Sequence, residues 1–217
     1  GDLVDQYDFV VTGAKGICAT RNALQYYYRD LGVWNPKVLF MDDDIEDLMD
    51  MDKPLKNLNK FILNGFKETE KLGLNIWGVS PFHNTFYMKP TTTTSLKYIC
   101  GAFYGEIFDT KKDIVLSDVD HFEDFQKTME CFMRDTGVVR FNGVALKTKY
   151  FEQKGGICES VGGLAARKVM MDENADYMCD RYGLMCRRIE KKYGADLRLN
   201  SRYKVFKVIL EQDQPTH

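Results

Sequence analysis

Three consecutive carboxylates, Asp42, Asp43 and Asp44, close the apolar run from Lys37 to Met41. Adjacent like charges repel, and placing them at a strand end concentrates that cost. A divalent cation relieves it. In an extended segment Asp42 and Asp44 point to the same side. Two carboxylates plus diphosphate oxygens make a hard-cation site for Mn²⁺ or Mg²⁺. In open α/β sheets, ligands bind beyond the carboxyl ends of strands. The competing reading is an N-cap cluster for a helix over Ile45 to Asp50.

A second group is Gly16-Ile17-Cys18-Ala19-Thr20-Arg21-Asn22. A glycine turn opening a helix presents free N–H groups and a positive dipole end. Arg21 adds a forked phosphate donor, and Asn22 is placed to bridge to the strand-end carboxylates or to a ligand. The bland alternative is an ordinary turn with a surface arginine. A third group runs from Ser117 to Asp124 and holds Asp118, Asp120, His121, Glu123 and Asp124 at a helix start, with Arg134, Arg140 and Asn142 further along the chain. Acidic residues favour helix N-termini for dipole reasons alone. The functional reading is a carboxylate base for a hydroxyl nucleophile. His83 follows a strand and is a further candidate, although a lone histidine is more often structural.

The elements that must position these groups alternate. Strands are predicted over Tyr7 to Thr12, Lys37 to Met41, Asn75 to Ser80 and Val138 to Phe141. The aromatic, glycine-broken stretch Ile99 to Phe108 is predicted as a twisted strand or hairpin, and Thr91 to Thr94 as a loop tip. Helices are predicted over Cys18 to Leu31, Leu55 to Leu72 and Phe122 to Met133. Ala165 to Tyr193 reads as mostly helical, broken near Gly183. Lys154 to Gly163 is a glycine-rich loop, and Tyr203 to Leu210 an alternating strand. The Lys37 to Met41 run is continuous and apolar, as in a strand buried on both faces. The expected fold is one α/β domain over residues 1–210, a mixed, mainly parallel sheet flanked by helices, with a tail at 211–217.

The chain has 217 residues, 44% hydrophobic and 29% charged, an ordinary balance for a globular protein. No apolar run approaches the roughly 20 residues of a membrane span, and no signal peptide is read at the start. Six cysteines without a C-x-x-C pair suggest buried thiols in a reducing compartment, and hence the cytoplasm. The net charge of −2 hides an asymmetry: residues 1–133 carry −7 and residues 134–217 carry +5. A polyanion would therefore meet the C-terminal third, where Arg167, Lys168, Arg187, Arg188, Lys191, Lys192, Arg198 and Arg202 lie. A solvated helix face accounts for the same charges.

The ordered set resembles a GT-A glycosyltransferase. It runs from G-I-x-x-x-R-N (Gly16, Ile17, Arg21, Asn22) through Asp42-Asp43-Asp44 and Glu123-Asp124. It continues with Arg134, Asp135, Val138, Val139, Arg140, Phe141 and Asn142, then Lys147, Thr148 and Tyr150, then Gly155, Gly156 and Ile157. More narrowly it is similar to the TET/JBP-associated glycosyltransferases of phages and protists, enzymes proposed to glycosylate hydroxymethylated pyrimidines in DNA. The resemblance covers roughly Tyr7 to Arg202. One departure is that a single strand precedes G-I-x-x-x-R-N, where GT-A enzymes usually carry a strand–helix–strand unit for the nucleoside.

The resemblance implies a UDP-sugar donor and Mn²⁺ or Mg²⁺ at Asp42 and Asp44, with Gly16, Arg21, Asn22, Asp42 and Asp43 beside the donor. Asp124 or Glu123 would deprotonate the acceptor hydroxymethyl group if the anomeric centre inverts. Arg140, Asn142, Gly155, Gly156 and His83 are the acceptor-side candidates. The implied acceptor is 5-hydroxymethylpyrimidine in DNA, with cytosine the first choice of base. No membrane or protein partner is implied, and a phage-encoded enzyme would work in the host cytoplasm. Alternatives are a non-DNA acceptor, an inactive binding module, or a metal-dependent nucleotidyltransferase or nuclease.

Overall fold

Strand β4 (Ile76–Ser80) is buried at every position and shows how the molecule is layered. Its side chains alternate between two cores, as the pleat requires. Ile76 joins Met129, Phe132 and Met178 on one face, and Trp77 and Val79 join Phe66, Phe103 and Phe141 on the other. The Trp77 indole fills its core so closely that a Cβ on Gly105 would come within 2.2 Å of it and one on Gly65 within 2.6 Å. Both positions therefore require glycine. The computed structural model that shows this describes residues 14–109, 111–148, 163–192 and 194–205.

In chain order the elements begin with α1 (Ile17–Asp30), β1 (Lys37–Met41), β2 (Ile45–Asp50), β3 (Lys53–Pro54) and α2 (Leu58–Lys71). After β4 come β5 (Thr92–Thr93), β6 (Phe103–Ile107), α3 (Glu123–Asp135) and β7 (Val139–Thr148). The last are α4 (Leu164–Tyr182), β8 (Cys186–Lys191) and β9 (Gly194–Leu199). Asn57 caps α2 by accepting the Lys60 N–H at 2.9 Å, and Gly73, at φ +68°, ends it.

The main sheet has the order β1-β6-β4-β7-β2-β3, with β5 also on β7. The expectation of a mainly parallel sheet is corrected. Only β4 and β7 pair in parallel; every other pair described in this sheet is antiparallel. The misreading has a physical cause: a strand covered on both faces reads as an apolar run whichever way its neighbour points. Strand β1 is also only half-buried, because it is an edge strand paired with β6 alone.

The short link between β1 and β2 bends this sheet. Four strand steps separate them, about 19 Å in a flat sheet at about 4.8 Å per step. Three residues reach about 15 Å at most. The sheet must therefore curl, bringing its β1 and β2 ends together across Asp42-Asp43-Asp44.

Other expectations fare differently. Ile45–Asp50 is a strand, not a helix capped by the aspartates. The helix over 164–182 stops at Gly183, and the chain then forms the β8–β9 hairpin rather than more helix. The residues Tyr203 to Val205 are not in a strand. The expected strand Tyr7 to Thr12, most of the glycine-rich loop with Gly155 and Gly156, and the tail lie outside the described residues. Cys18, Cys100, Cys131, Cys179 and Cys186 are not in disulfides. Among the described residues, no helix is long and apolar enough to cross a membrane.

Candidate active site around the triple aspartate

The curl brings the three sequence groups into one place, and Gly101 is the point where they meet. Asp42, just past β1, donates its N–H to the Ala102 carbonyl at 2.9 Å. Arg21, from the second turn of α1, donates to the Gly101 carbonyl at 2.7 Å through Nη2. The same nitrogen lies 3.9 Å from Asp42 Oδ1, and Nη1 bonds Glu123 Oε1. Asp124 receives the Gly101 N–H at 3.0 Å, the Phe125 N–H at 2.9 Å and the Tyr98 hydroxyl. A Cβ at position 101 would sit 2.8 Å from Arg21 Nη1, 3.0 Å from Glu123 Oε1 and 3.2 Å from Asp124 Cβ. Glycine is required there by crowding.

Arg21 is buried beside a stacked pair of aromatic rings. Phe40 and Tyr104 stack at 4.5 Å, and the guanidinium carbon lies 5.5 Å and 5.3 Å from their centroids. Such a cation is held by ring quadrupoles as well as by its partners. The expected phosphate clamp is therefore committed to internal partners, and its charge neutralises the surrounding carboxylates.

The carboxylates differ in state. Burial, then the neighbouring Asp124, raises Glu123 from 4.5 to about 7, with Arg21 and Lys127 opposing. Its Oε2 is buried without a hydrogen-bond partner among the described residues. Burial also raises Asp42; Arg21 opposes, and Asp44, Asp43 and Asp124 add to the rise. Asp43 is exposed. Asp44 Oδ1 is buried and, like Glu123 Oε2, has no hydrogen-bond partner among the described residues.

Among the described residues, no three His, Cys, Asp or Glu side chains form a ready-made metal cage. The residues present nevertheless fit a hard divalent cation. Asp42 and Asp44 supply carboxylate oxygens, one of them orphaned, with a charge balance that a cation would correct. Such ions commonly complete their shell with water and substrate phosphates. Beside Asp42 a cleft of about 320 Å³ opens, lined by Gly16, Ile17, Thr20, Arg21, Phe40 and Met41. Gly16 adopts φ +89° to start α1, so the helix N-terminus faces this cleft.

Two candidates have structural tasks. Asn22 donates to the Ser117 carbonyl at 2.7 Å and accepts the Ser117 N–H at 3.1 Å, so both ends of its amide hold that segment. Asp118 ties α3 to α4: burial would raise its carboxyl, but hydrogen bonds from Gln126, Tyr177 and Arg181 bring it below its ordinary value.

Arg140, Asn142 and His83 lie away from the carboxylates. His83 Nε2 is 2.8 Å from the Met51 carbonyl oxygen. Arg140 donates to the Tyr98 carbonyl and the Ser80 hydroxyl, each at 3.2 Å. Asn142 is buried in an irregular stretch of β7, donating to the Thr91 carbonyl at 3.0 Å and accepting from Lys97 Nζ at 3.0 Å. Both Arg140 and Asn142 face a cleft of about 630 Å³. Tyr98 shares that cleft and bonds Asp124, so it joins the two regions. Sequence reasoning missed Tyr98 and Gly101. The glycine break after Ile99 was the signal for the second; nothing in the spacing marked the first.

Part of the basic C-terminal third is self-paired. Arg188 bonds Asp172, Asp176 and Glu190, Arg181 bonds Asp118 and Glu130, and Lys191 lies 3.4 Å from Asp196. No family model, no curated protein and no solved structure matches the chain.

Proposed function

We propose that this chain is a metal-dependent glycosyltransferase. It moves a hexose from a UDP-sugar to the hydroxymethyl group of a 5-hydroxymethylpyrimidine, 5-hydroxymethylcytosine first, in DNA. The observation that carries the reading is the convergence of Asp42 with Arg21, Glu123 and Asp124 around Gly101, with Asp44 close enough to Asp42 to raise its carboxyl. The sequence resemblance set these residues in one family's order, and their meeting in space supports it.

Asp42 and Asp44 would hold Mn²⁺ or Mg²⁺. Bound there, the ion supplies Lewis-acid neutralisation of the departing diphosphate. The cleft beside Asp42, facing the N-terminus of α1, suits the donor. Arg21 balances the carboxylates and keeps Glu123 in place. Asp124, with three donors directed at it, is held as a positioning anion. Glu123, raised to about 7 and with an unpartnered Oε2, is the better proton acceptor near neutral pH. In an inverting transfer the acceptor O–H proton passes to Glu123. The freed oxygen then forms the bond to the anomeric carbon as the carbon–oxygen bond to the diphosphate breaks.

The test is direct. Purified protein is mixed with Mn²⁺, a panel of UDP-sugars and DNA carrying cytosine or 5-hydroxymethylcytosine, and nucleoside masses are read. A hexose-sized gain confined to hydroxymethylated DNA is expected. Metal-dependent donor hydrolysis without that gain keeps the enzyme class and rejects the DNA acceptor. Absence of both overturns the proposal.

A further inference from the structure

The large cleft has a charge pattern that segment totals conceal. Its floor and one wall come from the acidic part of the chain, yet Lys89, Lys97 and Arg140 line it together. Among the described residues, none of these three pairs with a carboxylate. Lys97 is held by the Asn142 amide oxygen, and Arg140 by a carbonyl and a hydroxyl. Arg140 Nε is buried without a partner among the described residues. Burial, Arg140 and Lys89 together lower the Lys97 ammonium from its ordinary value, the signature of crowded cations lacking an anion. Across the cleft Arg198 adds another positive charge, and the one carboxylate lining it among the described residues, Asp196, is paired with Lys191 at 3.4 Å.

Exposed rings stand at the rim. Tyr87 lines the cleft at 76% exposure and packs edge-on against Phe86, itself 83% exposed. Neither ring is buried in a core, so the pair leaves ring surface open to a planar partner. Cations that track phosphates, next to aromatics that receive unstacked bases, form the pattern of single-strand recognition. A duplex cannot follow its phosphates down to a half-buried guanidinium, whereas an extended strand can.

We infer that this cleft binds single-stranded DNA, with phosphates at Lys89, Lys97 and Arg140 and a base stacked at Tyr87. The inference deepens the transferase reading and rests on it for the identity of the acceptor. Tyr98 lines the cleft with its ring stacked on Phe125 and hands its hydroxyl to Asp124, so a strand lying here runs beside the carboxylates.

The experiment measures binding, so that its outcome is independent of turnover. A fluorescent 12-residue deoxyoligonucleotide, single-stranded or annealed, is titrated by anisotropy over a range of salt without donor or metal. The single strand is expected to bind at least tenfold tighter than the duplex. The double variant Lys89→Glu with Lys97→Glu is expected to weaken it at least tenfold and flatten the salt dependence by about one to two units of log–log slope, at about 0.7 per phosphate contact. Tyr87→Ala is expected to weaken binding with the slope kept. Arg187→Glu with Arg202→Glu, which line the adjoining basic cleft at β8 and β9 but not this one, is expected to change little. Equal or tighter duplex binding, no binding to the single strand at low salt, or loss only in the Arg187 and Arg202 variant overturns the inference. Binding that behaves as expected without any sugar transfer overturns the transferase reading instead.

Discussion

Arg21 and Glu123 lie 102 positions apart in sequence and form a buried ion pair, with the guanidinium beside the stacked rings of Phe40 and Tyr104. Each side chain is 7% exposed. Breaking such a pair from one side leaves an uncompensated buried charge, which typically costs about 3–5 kcal/mol. Arg21→Ala is therefore expected to lower unfolding free energy by about that amount at neutral pH, read by urea denaturation. Arg21→Lys keeps the charge but loses the fork and part of the ring contact, and should fall between.

Glu123 makes stability depend on pH in a defined direction. Its carboxyl is raised from 4.5 to about 7 in the folded protein. The folded state thus holds a proton that the unfolded chain has released. The resulting stabilisation is complete below about pH 4.5 and is lost as pH rises through about 7, at no more than about 1.4 kcal/mol per pH unit. Denaturation of metal-free protein at steps between those limits should show this decline. Glu123→Gln should flatten it; an unchanged decline in that variant would assign the proton to another group.

Asp44 is predicted to report on the cation without disturbing the fold. Asp44→Asn keeps the shape and removes the charge, so Tm without metal should stay within about 2 °C of the parent, the effect of less than 1 kcal/mol in a chain of this size. The parent should gain Tm on adding Mn²⁺ with UDP, as any ligand of the folded state requires. The variant should not. Transfer activity, where present, should fall at least a hundredfold, the usual scale for losing a group that stabilises developing charge.

Gly101→Ala tests the crowding at the meeting point. Its new methyl would press on Arg21, Glu123 and Asp124 at once. Overpacking of this kind costs about 1–3 kcal/mol. If the proposed function holds, loss of transfer should exceed the loss of folded protein at the assay temperature, because the displaced groups are the ones proposed to serve it.

Tyr98→Phe removes one hydrogen bond to Asp124 and keeps the ring on Phe125. The expected change in stability is about 1–2 kcal/mol. Single-strand binding by this variant should match the parent, since the lost hydroxyl points to the carboxylate and the ring remains.

Local signals in the sequence located the first three helices and the strands β1 and β4 well. The Lys37 to Met41 run, the Gly32 and Gly73 stops and the Asn75 to Ser80 strand all have causes within a few residues. Strand direction had none: β1, β4 and β6 are apolar for reasons of burial, and burial does not encode which way a neighbour runs. The β8–β9 hairpin was hidden because charged Arg187, Arg188, Lys191 and Lys192 read as the polar face of a helix. At the site, residue types disclosed Asp42, Asp44, Glu123 and Asp124. The partners that fix them, Gly101 and Tyr98, were hidden because their importance is purely spatial. Arg21 was seen but its internal partners were not, since a forked donor fits an internal carboxylate as well as a phosphate. The cationic cleft escaped because it gathers Lys89, Lys97 and Arg140 from segments whose summed charge is negative or small.

The three-residue link from β1 to β2 makes the aspartates a clasp. They span the gap where the curled sheet brings its distant strands together, so flattening the sheet would pull the chain taut through those residues. A cation held by Asp42 and Asp44 would fasten that clasp, coupling metal occupancy to closure of the whole sheet. An added residue in the link would leave each strand intact and loosen the fit of both together. Shape and charge at this one turn are a single property of the molecule.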